Sequence, residues 1–190
     1  MRLLEERILK DGKVRAGGIL KVDGFLNHQM DVHLFMELAK QWKEAFEGEE
    51  ITKLLTIEAS GIGLACIAAQ VFDCPVVFAK KTKTRNIDGS VYKTQVKSFT
   101  HGKIYDVIVS REYLRSEDRV LLIDDFLADG AALDGLCDLV RQSGAVLVGA
   151  GIAIEKCFQP GGKRLRDKGL RIESLARVKA MYDDGRIEFD

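Results

Sequence analysis

Short unbroken apolar runs alternate along this chain with longer stretches in which apolar residues recur every third or fourth position. Leu34, Leu38, Trp42 and Phe46 mark one face of a helix over about 31–47. KLLTIE (53–58) reads as a buried strand, Ala59–Gly63 as a small-residue loop, LACIAAQVF (64–72) as a helix and PVVFA (75–79) as the next strand. The run Val120–Ile123, with Asp124, predicts a further strand. Leu133, Leu136, Cys137 and Val140 then take up helical spacing, which Ser143-Gly144 ends, and 146–154 forms one more apolar strand. Continuous apolar strands separated by helices predict an α/β fold with a mainly parallel sheet covered on both faces. At the start, a charged amphipathic helix over about 1–10 precedes a short strand at 19–22 and the irregular DGFLNHQMD. Two alternating segments, VYKTQVKSF and KIYDVIVS, predict a hairpin turning at Thr100-His101-Gly102, and a second hairpin is expected around Asp184-Gly185.

The chemistry concentrates in VLLIDDFLADGAA (120–132). An apolar strand runs into two carboxylates, Asp124 and Asp125, and a loop of small residues then opens a helix. Unsatisfied N–H groups and the helix dipole make such a loop attractive to anions. Acids beside an anion site suit a phosphorylated sugar, whose hydroxyls the carboxylates can hold. The bland alternative is the acid-ended strand of a nucleotide hydrolase, which requires a phosphate loop ending in Gly-Lys-Ser/Thr. Here Gly-Lys occurs at 12–13, 102–103 and 162–163, followed by Val, Ile and Arg, which excludes it. A second strand-to-helix loop, Glu58–Gly63, is small and glycine-rich and lets backbone amides approach a polyanion. Lys80, Lys81, Lys83 and Arg85 follow a strand end within six residues.

Composition narrows the partners. Lys plus Arg and Asp plus Glu stand at 29 each, so no global field favours nucleic acid or an anionic membrane. No apolar run approaches the roughly 18 residues of a membrane-spanning helix. Cys66, Cys74, Cys137 and Cys157 lack CxxC spacing and sit in or beside apolar segments. They read as reduced core residues of a cytoplasmic protein. The length of 190 residues suits one domain, and no linker or repeat is visible.

The 120–132 stretch resembles the signature of the type I phosphoribosyltransferases, enzymes that use phosphoribosyl pyrophosphate (PRPP). With LKVDGFLNHQ, TIEASGI, PVVFAKK, IEKCFQPG and RIESLARV, the resemblance extends over nearly the full chain to the bacterial branch acting on xanthine. It implies a type I fold over 1–190, with a small hood from about 1–30 and 156–190 and a flexible lid loop at 81–98. It also implies purine salvage: transfer of ribose 5-phosphate from PRPP to xanthine, giving xanthosine 5′-monophosphate and pyrophosphate. By the same resemblance Asp124 and Asp125 contact the ribose, and Lys81 assists the leaving group. PRPP is held by Ala128, Asp129, Gly130, Ala131 and Ala132 and by Ser60 and Gly61. Leu20, Asn27 and Lys156 line the purine pocket, where an amide and an ammonium face the two carbonyls of xanthine. Mg²⁺ arrives mainly on PRPP and pyrophosphate, with no protein metal cluster, and the enzyme is a cytoplasmic homodimer. Asp129 stands where the family often has Thr, Ala131 where Gly is frequent, and Ala132 lacks a phosphate-binding hydroxyl. An acid aimed into an anion loop is unfavourable, so Asp129 is expected to face solvent. Adenine and guanine/hypoxanthine specificities share this fold and remain open. A PRPP-sensing transcription regulator would need a DNA-binding appendage, for which residues 1–19 are too short.

Overall fold

A computed structural model of the protein describes residues 1–81, 90–97 and 104–190. In order, the elements are α1 (Arg2–Asp11), β1 (Lys13–Arg15), β2 (Ile19–Lys21), a π-helical turn over Asp23–Asn27, and α2 (Val32–Ala45). There follow β3 (Lys53–Ile57), α3 (Ser60–Phe72), β4 (Val76–Ala79), β5 (Val91–Lys97), β6 (Ile104–Ser110) and β7 (Arg119–Leu127). The chain ends through α4 (Ala131–Ser143), β8 (Val146–Lys156), α5 (Gly161–Asp167), β9 (Ile172–Met181) and β10 (Ile187–Phe189). Six strands form one sheet in the order β10-β9-β8-β7-β3-β4, parallel except for β10 against β9.

The apolar run at 120–123 becomes the axis of that sheet. Strand alternation sends Leu121 and Ile123 into a cluster with α1, α2 and α3, and Val120 and Leu122 into a second cluster with α4 and the β5–β6 hairpin. All four are fully buried, as expected of a parallel strand covered on both faces. Trp42, predicted on the buried face of α2, is fully enclosed, and its indole N–H donates to the Glu173 carbonyl at 3.2 Å.

Several expectations are corrected. β7 does not stop at the first acid but continues to Leu127, because β8 is long enough to pair Asp124 with Ile152 and Leu127 with Glu155. Helix α3 begins at Ser60 rather than 64, so most of the presumed loop is the first helical turn. Helix α4 begins at Ala131, two residues before its apolar spacing starts. Strand β1 and helix α5 were not anticipated. The cysteines are not core residues: Cys66 is exposed and the other three are half-buried, all as free thiols. The turn at Thr100-His101-Gly102, and Lys83, Arg85 and half of the expected lid, lie outside the described residues, while 91–97 of that lid form strand β5 rather than loop.

Candidate active site

The two carboxylates stand side by side near the end of β7, 5% and 9% exposed. The Asp125 amide donates to Asp124 Oδ1 at 3.0 Å. Burial raises the Asp124 carboxyl well above its ordinary range, and the neighbouring Asp125 charge raises it further. The Lys81 ammonium works in the opposite direction, favouring the ionised form. Lys81 reaches this position because its amide donates to Glu58 Oε1 at 2.5 Å, tying the end of β4 to the start of α3. Its ammonium lies 5.6 Å from the Tyr105 ring centroid. Burial also raises the Tyr105 phenol, with the Asp124 and Asp129 carboxylates adding to the effect. Tyr105, on β6, thus belongs to the site although nothing in its sequence context marks it.

The first turn of α3 comes up against the acid pair. A Cβ at Gly61 would overlap the Thr56 hydroxyl and lie 3.3 Å from Asp124 Oδ1, so only glycine lets the helix approach this closely. Among the described residues the fully buried Thr56 hydroxyl has no hydrogen-bond partner. Ser60 opens the helix, and the preceding Glu58–Ala59 peptide is cis. The segment 58–63, expected to hold PRPP through Ser60 and Gly61, is therefore joined to the acid pair by packing.

Residues 128–130 form the tight connection from β7 to α4, and Ala131 and Ala132 open the helix. Gly130 takes the left-handed conformation (φ 81°), and a Cβ there would lie 3.0 Å from an Arg164 nitrogen and from Leu165. Asp129 is half-buried rather than turned to solvent, and its Oδ1 accepts the Ala131 amide at 3.0 Å. An acid at the opening of a helix finds unsatisfied N–H groups, which explains why it folds inward. Behind the loop lies α5, where Gly161 donates to the Ala128 carbonyl at 3.1 Å and Arg164 to the Asp129 carbonyl at 2.9 Å. Helix α5 is anchored in turn by a buried ion pair. Glu155, 2% exposed, receives both Arg166 nitrogens at 2.6 and 2.7 Å. Burial is the largest influence and would raise the Glu155 carboxyl, but the hydrogen bonds from Arg166 and Ser174 and the Arg166 and Arg177 charges together outweigh it, and the net shift is downward.

At the other end of the site, Lys156 closes β8. Its ammonium donates to the Gly18 carbonyl at 2.9 Å and stands 5.5 Å over the Phe126 ring, and burial lowers its pKa. Phe126 packs against the cluster that contains Leu20, Val22, Phe25 and Leu26. Leu20 is buried within this core, on the strand that pairs with β1. Asn27 ends the π-helical turn with its side-chain carbonyl oxygen buried and, among the described residues, unpartnered. The unmet demand at that oxygen is for a donor. Among the described residues no group of three His, Cys, Asp or Glu side chains is placed to hold a metal, and no helix is long and apolar enough to cross a membrane.

The acid pair, the openings of α3 and α4 and Lys156 thus gather at the carboxyl ends of β3, β7 and β8. The phosphoribosyl transferase domain model matches residues 22–174, and the chain belongs to the phosphoribosyltransferase family. Among its relatives, xanthine phosphoribosyltransferase of Lachnoclostridium phytofermentans is 59% identical over 190 residues, covering 100% of this chain and 98% of that protein. The Bifidobacterium animalis subsp. lactis enzyme of the same name is 56% identical over 191 residues, covering 100% and 99%. Solved structures with this fold include adenine phosphoribosyltransferase of Giardia lamblia in complex with 9-deazaadenine (TM-score 0.73, 22% identity, 88% of this chain and 90% of that chain). The Trypanosoma brucei adenine enzyme, in complex with AMP, pyrophosphate and ribose 5-phosphate, is also similar (TM-score 0.76, 17% identity, 96% and 82%).

Proposed function

We propose that this protein is a purine-salvage transferase that moves ribose 5-phosphate from PRPP to N9 of xanthine, forming xanthosine 5′-monophosphate and pyrophosphate. The observation that carries the reading is the juxtaposition of Asp124–Asp125 with the first turn of α3 and the 128–132 loop, backed by the full-length relatives named for xanthine. In the reaction the bond from C1′ to the pyrophosphate oxygen breaks, the N9–C1′ bond forms, and the N9 proton leaves to solvent or pyrophosphate. Positive charge develops on the ribose as the leaving group departs. Asp124 and Asp125 hold the ribose hydroxyls and favour that cationic sugar, while Lys81 and the amides of Ser60 and Gly61 receive the pyrophosphate. Two adjacent buried carboxylates that repel each other suit a nearby divalent cation. Mg²⁺ carried by PRPP would face them and neutralise charge on the leaving group, held mainly by substrate oxygens.

The base end fits an oxo-purine. Lys156, partly desolvated and among the described residues donating to Gly18 alone, has donors left for a purine carbonyl, and the Asn27 oxygen, unpartnered among those residues, accepts a ring N–H of xanthine. Adenine presents an amine at position 6, which an ammonium repels. A hydrogen-bonding site rejects a mismatched group by roughly 10⁴-fold, since buried polar atoms are left unpaired. The expected order is xanthine first, guanine and hypoxanthine well behind, and adenine nearly inert. Incubation with PRPP, Mg²⁺ and each purine, followed by nucleotide detection, tests this. Lys156→Ala lowers xanthine use far more than PRPP binding. Adenine as the best substrate sinks the pocket assignment while leaving the PRPP site standing. The free thiols agree with a cytoplasmic, reducing compartment, and the functional unit is a homodimer.

A further inference from the structure

The 128–132 loop is shaped from behind, and the residues that shape it are on α5, outside the contacts assigned above to substrate. Two successive carbonyls of the loop point to α5. Ala128 O accepts the Gly161 amide at 3.1 Å, and Asp129 O accepts Arg164 Nη2 at 2.9 Å. Both peptides are trans, and in a trans peptide the C=O and N–H point to opposite sides. Drawing these carbonyls to α5 therefore aims the Asp129 and Gly130 amides the other way, into the site. Among the described residues neither amide has a backbone acceptor. Successive N–H groups turned to one side make a concavity for an anion.

Arg164 does this from two points at once. While Nη2 holds the loop carbonyl, Nη1 pairs with Asp134 in the first turn of α4. The same guanidinium thus spans from the loop to the helix it opens and fixes the angle between them. The fit is close: a Cβ at Gly161 would overlap Ala128 O and the backbone of Asp129 and Gly130. No part of Arg164 needs to touch the ligand. Its planar fork suits it to hold two oxygens in fixed relation, which a lysine cannot reproduce.

We infer that Arg164 is the positioning residue of the 5′-phosphate site, holding the Asp129–Gly130 peptide so that consecutive amides face the phosphate. The inference rests on the reading of 128–132 as the loop that binds the 5′-phosphate of PRPP. Its test separates the two. Calorimetric titration with ribose 5-phosphate, which contains the phosphate and ribose but no base or pyrophosphate, is made on the wild type, Arg164→Gln and Arg164→Lys, alongside steady-state kinetics with PRPP and xanthine. Losing one hydrogen-bonded orientation near a charged ligand weakens binding by about tenfold. The expected result is a rise of that size in Kd for ribose 5-phosphate and in KM for PRPP in Arg164→Gln, with the xanthine KM unchanged and a smaller rise in Arg164→Lys. A merely structural role would move both substrates together, or melting temperature alone. A folded Arg164→Gln that binds ribose 5-phosphate like the wild type overturns the inference and leaves the loop assignment intact. Wild-type protein that fails to bind ribose 5-phosphate at all removes the loop assignment and the inference with it. Should Arg164→Gln not fold, Arg164→Lys decides alone: a PRPP KM equal to wild type overturns the proposal.

Discussion

At Asp124 a carboxylate is held out of water beside a second carboxylate, with a lysine close enough to offset only part of the cost. Folding raises this carboxyl, so the unfolded chain gives up its proton first. The penalty sets in as pH rises through the ordinary carboxylate range and is complete above the folded value. Folding therefore disfavours the ionised form of this carboxyl. Asp124→Asn is expected to raise the melting temperature by about 4 °C for each kcal/mol recovered, while turnover falls more than about tenfold. Thermal unfolding and initial rates on one preparation check both; near-normal turnover removes Asp124 from the ribose. Asp129 teaches a related point. Its charge alone led to the expectation of solvent exposure, but the free Ala131 amide at the helix opening offers a better partner than water.

Among the elements, those that bury continuous apolar surface were legible in the sequence: β3, β7, β8, α2 and the apolar part of α4 all fall where the spacing put them. The others depend on partners distant in sequence. Strand β1 has three residues and exists through its pairing with β2. The opening of α3 is Ser-Gly-Ile-Gly, a poor helix former, and becomes helical as Gly61 packs on Thr56. Helix α5, GGKRLRD, has almost no apolar spacing, and its place is set by the Glu155–Arg166 pair. At the site, the acid pair and the 128–132 loop could be read from local pattern. Tyr105, Thr56 and Arg164 could not, since each enters by tertiary contact from another part of the chain. The α5 anchor has its own consequence. Glu155→Ala leaves the partly buried Arg166 without its carboxylate, with the Ile172 carbonyl and Ser174 hydroxyl as remaining partners, and should cost about 2 kcal/mol, measurable by urea unfolding. Because the Glu155 carboxyl is lowered in the folded protein, its contribution is present above the ordinary glutamate pKa and is lost as pH falls through the folded value. Wild-type protein should therefore lose stability on acidification below about pH 4.5 more steeply than Glu155→Gln. Parallel acid profiles for the two proteins would remove the pair from this role.

For the whole molecule, the sheet order puts β7 near the centre and hangs the acid pair, the openings of α3 and α4 and Lys156 from the carboxyl ends of β3, β7 and β8, where an open α/β sheet binds ligands. The proposed homodimer is tested by light scattering, which should return twice the 21.2 kDa chain mass at micromolar concentration. A mass of one chain would dismiss the dimer and, with it, any site contribution from a second copy.

The exposed position of Cys66 makes the native chain its own labelling substrate. It lies on α3, the helix whose opening faces the acid pair, whereas burial raises the thiols of Cys74, Cys157 and, to about 11, Cys137. Only a thiolate attacks an alkylating reagent, so those three react slowly near neutral pH. A maleimide fluorophore added in equimolar amount should modify Cys66 first, as peptide mass mapping would reveal. Such a dye offers an optical reading of PRPP arrival at that helix without changing any residue of the active site.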